Sequence, residues 1–128
     1  DIHLKEGVAL YLDRLRRDGV RMCVASATAL PLMKACLDRL GVLDYFDFLL
    51  SCEEVGWGKD RPDVYHEAAR RLGASPGEIA VYEDALGAAK TAKMAGYYVV
   101  AVYDGGTQPW EELKKLADEA IDNWKEEI

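Results

Sequence analysis

The most chemically suggestive part of the sequence is a pair of adjacent acids, Glu83 and Asp84, within the stretch AVYEDALGAAKTAKMAG. A short apolar run precedes the pair and a helical pattern of small residues follows it, so the acids fall where a strand meets a helix. Two like charges side by side need a cation or water to be tolerated. Their oxygens suit a hard cation such as Mg²⁺, although acids also favour a helix N-terminus through its dipole alone.

Two further polar positions follow apolar strands. The stretch VASAT presents Ser26 and Thr28, whose hydroxyls and amides can bind an anion at a helix start or simply cap that helix. Lys59 lies between a Gly-rich loop and a helix start, where it can neutralise a phosphate as a point charge or remain a solvated surface lysine. Each position alone favours the second role. A hydroxyl, a lysine and an acid pair at three successive strand ends form a much more specific pattern.

The sequence around these positions predicts alternating strands and helices. Apolar runs predict strands at 20–25, 46–51, 79–83 and 97–103 and a weak strand at 119–123, and helical patterns cover 5–19, 29–41, 61–73, 85–96 and 107–117. Such alternation is typical of βαβ units, and continuous apolar strands indicate a parallel sheet. We therefore predict an α/β fold: a doubly wound, Rossmann-like parallel sheet with helices on both faces, which binds ligands beyond the carboxyl ends of its strands.

Composition restricts the partners. The 128 residues, enough for one domain or part of one, carry a formal net charge of −7, which argues against a nucleic-acid partner. No apolar run approaches the roughly 18 residues that span a bilayer, so we predict no membrane partner. Cys23, Cys36 and Cys52 form no CxxC pair, and we interpret them as reduced thiols in a cytoplasmic protein.

With these motifs the chain resembles the haloacid dehalogenase superfamily, in particular the branch of β-phosphoglucomutase and phosphoglycolate phosphatase. VASAT is similar to the family's second motif at Ser26, GKDRPDVY to its third at Lys59, and VYEDALGAAKTAKMAG to its fourth at Glu83 and Asp84. Asp60 stands where the family usually has proline. The resemblance covers nearly the whole chain, and its leading stretch is similar to the segment that re-enters the family's core domain after the cap.

The resemblance implies Mg²⁺-dependent phosphatase or phosphomutase chemistry on a small phosphorylated metabolite, through an aspartyl-phosphate. Asp84 would bind the Mg²⁺, and Glu83 would either coordinate the ion directly or act on it through another ligand. Ser26, helped by the backbone amides of Ala27 and Thr28, would hydrogen-bond a phosphoryl oxygen. Lys59 would balance charge on the nucleophile and the phosphoryl group. Dehalogenation is the weakest branch, because the acid pair implies a metal that this reaction does not need.

The family's first motif, an Asp-x-Asp-x-Thr after an N-terminal strand, has no match in this sequence. In the family its first aspartate attacks phosphorus, its second is the general acid and base, and a cap domain usually selects the substrate. We therefore expect residues 1–128 to be the C-terminal portion of such a core domain, inactive without the missing N-terminal segment or cap as partner. That missing strand lies between the strands ending at Ser26 and Glu83, so direct pairing of these two would refute the expectation.

Two other function classes stay open at this point. A catalytically inactive binding or scaffold protein of the same fold predicts that Mg²⁺ and phosphate analogues leave thermal unfolding unchanged. A receiver-like signalling module would accept phosphate at a strand-end aspartate, but the N-terminal stretch DIHLKEG supplies no convincing acid pair for it. Hydrolysis and phosphomutase chemistry share the same residues, so the main prediction includes both.

Overall fold

The computed structural model describes residues 3–106 and 108–127. Within them the chain forms two compact units. The first unit contains the residues up to Gly56 together with those from Asn123 onward, and the second contains Trp57–Asp122. Each unit combines strands with helices.

The strands and helices alternate along the chain. The strands are β1 (Cys23–Ser26), β2 (Phe48–Ser51), β3 (Ala80–Glu83), β4 (Tyr98–Val102) and β5 (Glu119–Ile121). The α-helices are α1 (Val8–Arg17), α2 (Leu30–Arg39), α3 (Cys52–Val55), α4 (Asp63–Leu72), α5 (Leu86–Met94) and α6 (Trp110–Leu116). Short 3₁₀ turns occupy Leu43–Tyr45, Pro76–Glu78 and Trp124–Glu127.

In the first unit, β1 and β2 form a parallel pair in which Ser26 stands opposite Ser51. Leu50 on β2 is fully buried, and Met22, Met33 and Val42 of the same unit are buried apolar residues as well. Helix α2 packs against β2. This packing fixes the carboxyl ends of both strands, which carry the polar residues.

In the second unit, β3, β4 and β5 are parallel and lie in that order, with Glu83 of β3 opposite Ala101 of β4. Helix α5 packs against β3, β4 and α6. It does so through small buried side chains, those of Ala88, Ala89 and Ala92. The small-residue pattern after the acid pair is therefore the face that holds α5 against the sheet.

The strand pairing confirms the α/β class with parallel strands that the sequence predicts. Strands β2 to β5 lie within their predicted ranges, whereas β1, predicted at 20–25, begins three residues later at Cys23 and ends one residue later at Ser26. Among residues 3–106 and 108–127 no helix is both long and apolar enough to cross a bilayer.

Candidate active site

The acid pair lies at the carboxyl end of β3. Glu83 is the last residue of the strand, and α5 begins at Leu86 after the connecting Asp84 and Ala85. Ala85 provides no side-chain cap for this helix. Instead, the amide of Leu86 donates to Oε1 of Gln108, at 3.3 Å. The turn that carries both acids is thus held by a side chain from beyond β4.

Glu83 forms a largely buried ion pair with Lys59. Its Oε2 lies 3.0 Å from Nζ of Lys59, and the two side chains are 7% and 26% exposed, respectively. Lys59 stands in a turn that the amide of Arg61 closes by donating to the carbonyl of Gly58. Burying a carboxylate is costly unless a partner compensates for the lost water, and Lys59 supplies that partner.

Tyr65 is a third member of this cluster, and the sequence analysis did not identify it. Its hydroxyl donates to the same Oε2 of Glu83 at 3.1 Å. The side chain is 4% exposed, and its ring packs against that of Tyr97 with centroids 5.9 Å apart. A tyrosine on the apolar face of a predicted helix indicates a buried hydrogen bond, because its hydroxyl needs a partner once it is buried. The sequence does not identify that partner, because it depends on how α4 packs against β3.

Asp84 differs from its neighbour, because it is exposed. In the part of the chain that the structure describes, its carboxylate forms no ion pair. The side chain is therefore available to a ligand that approaches the carboxyl end of β3. Glu83 therefore makes contacts inside the protein, whereas Asp84 is exposed to solvent.

The acid pair provides carboxylate oxygens of the kind that Mg²⁺ prefers as ligands. Across residues 3–106 and 108–127 the structure has no group of three or more His, Cys, Asp or Glu side chains arranged for a metal ion. Mg²⁺ does not require such a group, since it is commonly held by one or two carboxylates together with waters and substrate phosphate. Asp84 offers an exposed carboxylate, and Glu83 offers Oε1, which forms no hydrogen bond to any described residue.

The hydroxyl position at the end of β1 belongs to the first unit. Ser26 ends β1, and its Oγ accepts a hydrogen bond from the amide of Thr28 at 3.1 Å. The carbonyl of Thr28 accepts a second bond from Oγ of Ser51, at 2.9 Å, and Ser51 is 1% exposed. Ser26 is half-buried, whereas Ala27 and Thr28 are exposed. The buried Ser51, which the sequence analysis did not identify, thus holds the turn by a hydrogen bond to its backbone.

The predicted site residues therefore fall into two groups. Lys59 and Glu83 are in direct contact, and Asp84 adjoins them along the chain. Ser26 and Thr28 are joined in a turn of the other unit, with Ala27 between them. Chemically, the first group supplies a cation and two carboxylates, and the second supplies a hydroxyl and backbone amides.

Comparison with known proteins identifies the family of this chain. The family model described as haloacid dehalogenase-like hydrolase matches residues 1–96. Hexitol phosphatase B of Escherichia coli is 32% identical over 101 residues, which cover 77% of this chain and 44% of that protein. β-Phosphoglucomutase of Bacillus subtilis is 29% identical over 102 residues, which cover 80% and 44%, respectively. The chain thus spans about half the length of these curated relatives.

Comparison with solved structures identifies a protein of similar fold. CbbY from Rhodobacter sphaeroides, in complex with xylulose-(1,5)-bisphosphate, matches with a TM-score of 0.84 and 30% identity, over 98% of this chain and 56% of that chain. The resemblance and the α/β fold class inferred from the sequence are both confirmed.

Proposed function

This chain belongs to the haloacid dehalogenase-like hydrolase family, and from that premise we propose that it is part of an Mg²⁺-dependent phosphatase or phosphomutase. Relatives of both kinds, hexitol phosphatase B and β-phosphoglucomutase, support this reaction class. Because the chain spans about half of their length, the proposal concerns the activity of the full-length gene product.

The observation that carries the proposal is the ion pair of Lys59 with Glu83 beside the exposed Asp84, at the carboxyl end of β3. Phosphoryl transfer depends mostly on positioning and on neutralisation of charge at the phosphoryl oxygens. A cation and two carboxylates at one strand end are the groups that such chemistry uses. A purely structural ion pair would not require a second, exposed acid next to it.

We assign the metal to the acid pair. Glu83, through Oε1, and Asp84 would hold Mg²⁺, which when bound neutralises phosphoryl oxygens and favours attack on phosphorus. Lys59 then has two tasks in succession: it pairs with Glu83 before substrate arrives, and it balances the negative charge of the phosphoryl group afterwards.

Hydrogen bonds to the phosphoryl group are the role we propose for the Ser26 turn. Oγ of Ser26 already accepts from the amide of Thr28, so its own hydrogen is directed elsewhere and can be donated to a phosphoryl oxygen. The backbone amide of Ala27, an exposed residue of the same turn, would be a second donor. Preorganised donors of this kind stabilise charge that develops in the transition state.

We place the covalent step on an aspartate that this sequence does not contain. Its carboxylate oxygen would attack phosphorus, so that a new O–P bond forms while the bond from phosphorus to the substrate oxygen breaks. A second aspartate would protonate that leaving oxygen. In a phosphatase, water would then lose a proton to the second aspartate and attack phosphorus, so that the O–P bond to the first aspartate breaks and inorganic phosphate leaves. In a phosphomutase, a sugar hydroxyl would lose its proton to the same aspartate and take the phosphoryl group as that O–P bond breaks.

The substrate class we propose is a small phosphorylated metabolite of the sugar-phosphate kind. Support comes from the relatives, one named for hexitol phosphates and another solved with xylulose-(1,5)-bisphosphate. The net charge of −7 makes these 128 residues poor binders of large polyanions, which fits a small ligand held by a few local groups.

The test is a phosphatase assay on the full-length gene product, with p-nitrophenyl phosphate and a set of sugar phosphates, in Mg²⁺ and in EDTA. We expect turnover only with Mg²⁺, and a reduction in kcat of roughly a hundredfold or more in Asp84→Asn. Asp38→Asn, at an exposed position of α2, is the control and should match the wild type. Absence of turnover on every substrate, with Mg²⁺ leaving thermal unfolding unchanged, would favour an inactive binding protein instead.

A further inference from the structure

The two carboxylate oxygens of Glu83 differ in their hydrogen-bond partners. Oε2 accepts from Nζ of Lys59 at 3.0 Å and from the hydroxyl of Tyr65 at 3.1 Å. Oε1 accepts from no described residue, and the described chain contains no buried side-chain oxygen left without a partner. Oε1 is therefore the oxygen that solvent or a ligand can reach.

The two donors to Oε2 differ in mobility. Lys59 stands in a loop turn, ends in a flexible four-carbon stem and is about one-quarter exposed. Tyr65 lies on α4 with its side chain 4% exposed and its ring packed against Tyr97. Its hydroxyl also lies 3.4 Å from the carbonyl oxygen of Ala88. The tyrosine is thus the fixed donor and the lysine is the donor that can leave.

The proposed reaction requires Lys59 to leave or to share its charge. When Nζ turns toward a phosphoryl group, a buried Glu83 with no other donor would lose its only compensation and would rotate toward water or follow the lysine. The hydroxyl of Tyr65 removes that problem, because it keeps Oε2 bonded in either position of Lys59. Oε1 then points in the same direction before and after the lysine moves.

We propose that Tyr65 is a positioning residue, which holds Glu83 by Oε2 so that Oε1 is directed at the metal while Lys59 is released to the phosphoryl group. This inference rests on the proposed Mg²⁺-dependent function. Tyr65 touches neither the metal nor the substrate, and it acts only through Glu83.

The experiment measures Mg²⁺ binding to the full-length gene product by isothermal titration calorimetry, in the wild type, Tyr65→Phe and Tyr97→Phe. The two variants are matched, since each removes one buried hydroxyl from the same aromatic pair and leaves its ring. The hydroxyl of Tyr97 bonds to Nδ1 of His66 at 2.7 Å and not to Glu83. We expect Tyr65→Phe to raise the Kd for Mg²⁺ roughly tenfold and Tyr97→Phe to change it by less than about twofold. The Mg²⁺ concentration for half-maximal activity should rise in parallel in Tyr65→Phe alone.

Lys59→Met gives a second comparison, which does not depend on the folding of Tyr65→Phe. With Tyr65 as the donor that remains, Glu83 should still bind Mg²⁺ with a Kd no more than about threefold weaker than in the wild type. A loss of tenfold or more would overturn the proposal, because Lys59 would then be the residue that places Glu83. Equal Kd values in Tyr65→Phe and Tyr97→Phe would overturn it as well.

These outcomes separate the inference from the proposed function. A wild-type protein that binds Mg²⁺ and shows phosphatase activity, but whose Tyr65→Phe variant behaves like Tyr97→Phe, contradicts the role of Tyr65 and leaves the function standing. A wild-type protein with neither Mg²⁺ binding nor activity contradicts the function, and the role of Tyr65 with it.

Discussion

The turn at Ser26 and the cluster around Glu83 each present polar groups at the end of a strand, but the two regions are built in different ways. The turn is partly exposed, and its internal hydrogen bond joins residues two positions apart. The cluster is largely buried, and Glu83 bonds to residues 18 and 24 positions away along the chain. A local turn forms wherever its own residues allow it, whereas the cluster exists only after α4 and β3 have packed. Substitutions in the cluster should therefore change both stability and activity, and those in the turn mainly activity.

Lys59→Met should have the largest effect. It removes the cation that compensates for a buried carboxylate, and we expect the free energy of unfolding to fall by about 1–3 kcal/mol, less than for a fully buried pair because Lys59 is 26% exposed and Tyr65 still donates. The kcat should fall roughly a hundredfold, since a charge-neutralising group is lost. Urea unfolding and steady-state kinetics measure the two effects. A kcat within threefold of the wild type would contradict the role of Lys59.

Ser51→Ala should come next, because it tests the buried support of the exposed turn. Ser51 caps α3 by accepting from the amide of Glu53 and donates to the carbonyl of Thr28. Loss of a cap of this kind costs about 1–2 kcal/mol, visible as a lower urea midpoint. If the wild type and Ser51→Ala unfold at the same urea concentration, the turn does not depend on this serine.

Ser26→Ala should have a small effect on stability and a larger one on catalysis. Its hydrogen bond to Thr28 is local and partly exposed, so we expect a change of about 0.5 kcal/mol or less in the free energy of unfolding. The value of kcat/KM should fall roughly tenfold, if its hydroxyl donates to a phosphoryl oxygen. The reverse result, with stability lost and kcat/KM kept, would make Ser26 a structural residue only.

The smallest effect should come from a carboxylate outside both regions. Hydrogen bonds from Arg70, and then from Arg71, lower the pKa of Glu67 from 4.5 to about 2. A depressed pKa in the folded state stabilises the protein at a pH above the unfolded value, and this contribution is lost as the pH falls from about 4.5 to about 2. Because the two arginines are exposed and salt screens their charges, the ionised Glu67 should increase the free energy of unfolding only slightly. Thermal midpoints of the wild type and Glu67→Gln should differ at pH 6 and converge toward pH 2; a constant difference would contradict the shift.

The same contrast explains how much the sequence could predict. The strands end where an apolar run meets a polar residue, so Ser26 and Glu83 were placed correctly at strand ends from local pattern alone. The short helix α3 was missed, although Ser51 and Glu54 form a capping box that is readable in the stretch SCEE. Four residues are too few for a hydrophobic period, which is the signal that revealed the other helices.

Contacts between distant residues could not be predicted in this way. Residue type and family resemblance identify Lys59 and the acid pair as candidates, whereas the direct ion pair of Lys59 with Glu83 follows from the packing of the loop onto β3. Tyr65 was read only as part of a helical pattern, since its hydroxyl finds Glu83 through the register of α4 against the sheet. The sequence pattern therefore identifies the chemical groups of the candidate site, whereas tertiary packing determines which of these groups are in contact.

The most direct test of the central claim is a crystal structure of the full-length gene product, grown with Mn²⁺ in place of Mg²⁺ and measured at a wavelength where Mn²⁺ scatters anomalously. We expect an anomalous peak at coordination distance from Oε1 of Glu83 and from the carboxylate of Asp84, with Oε2 of Glu83 still bonded to Tyr65. Density for the protein with no peak at these two acids, or a peak bound to other side chains, would contradict it.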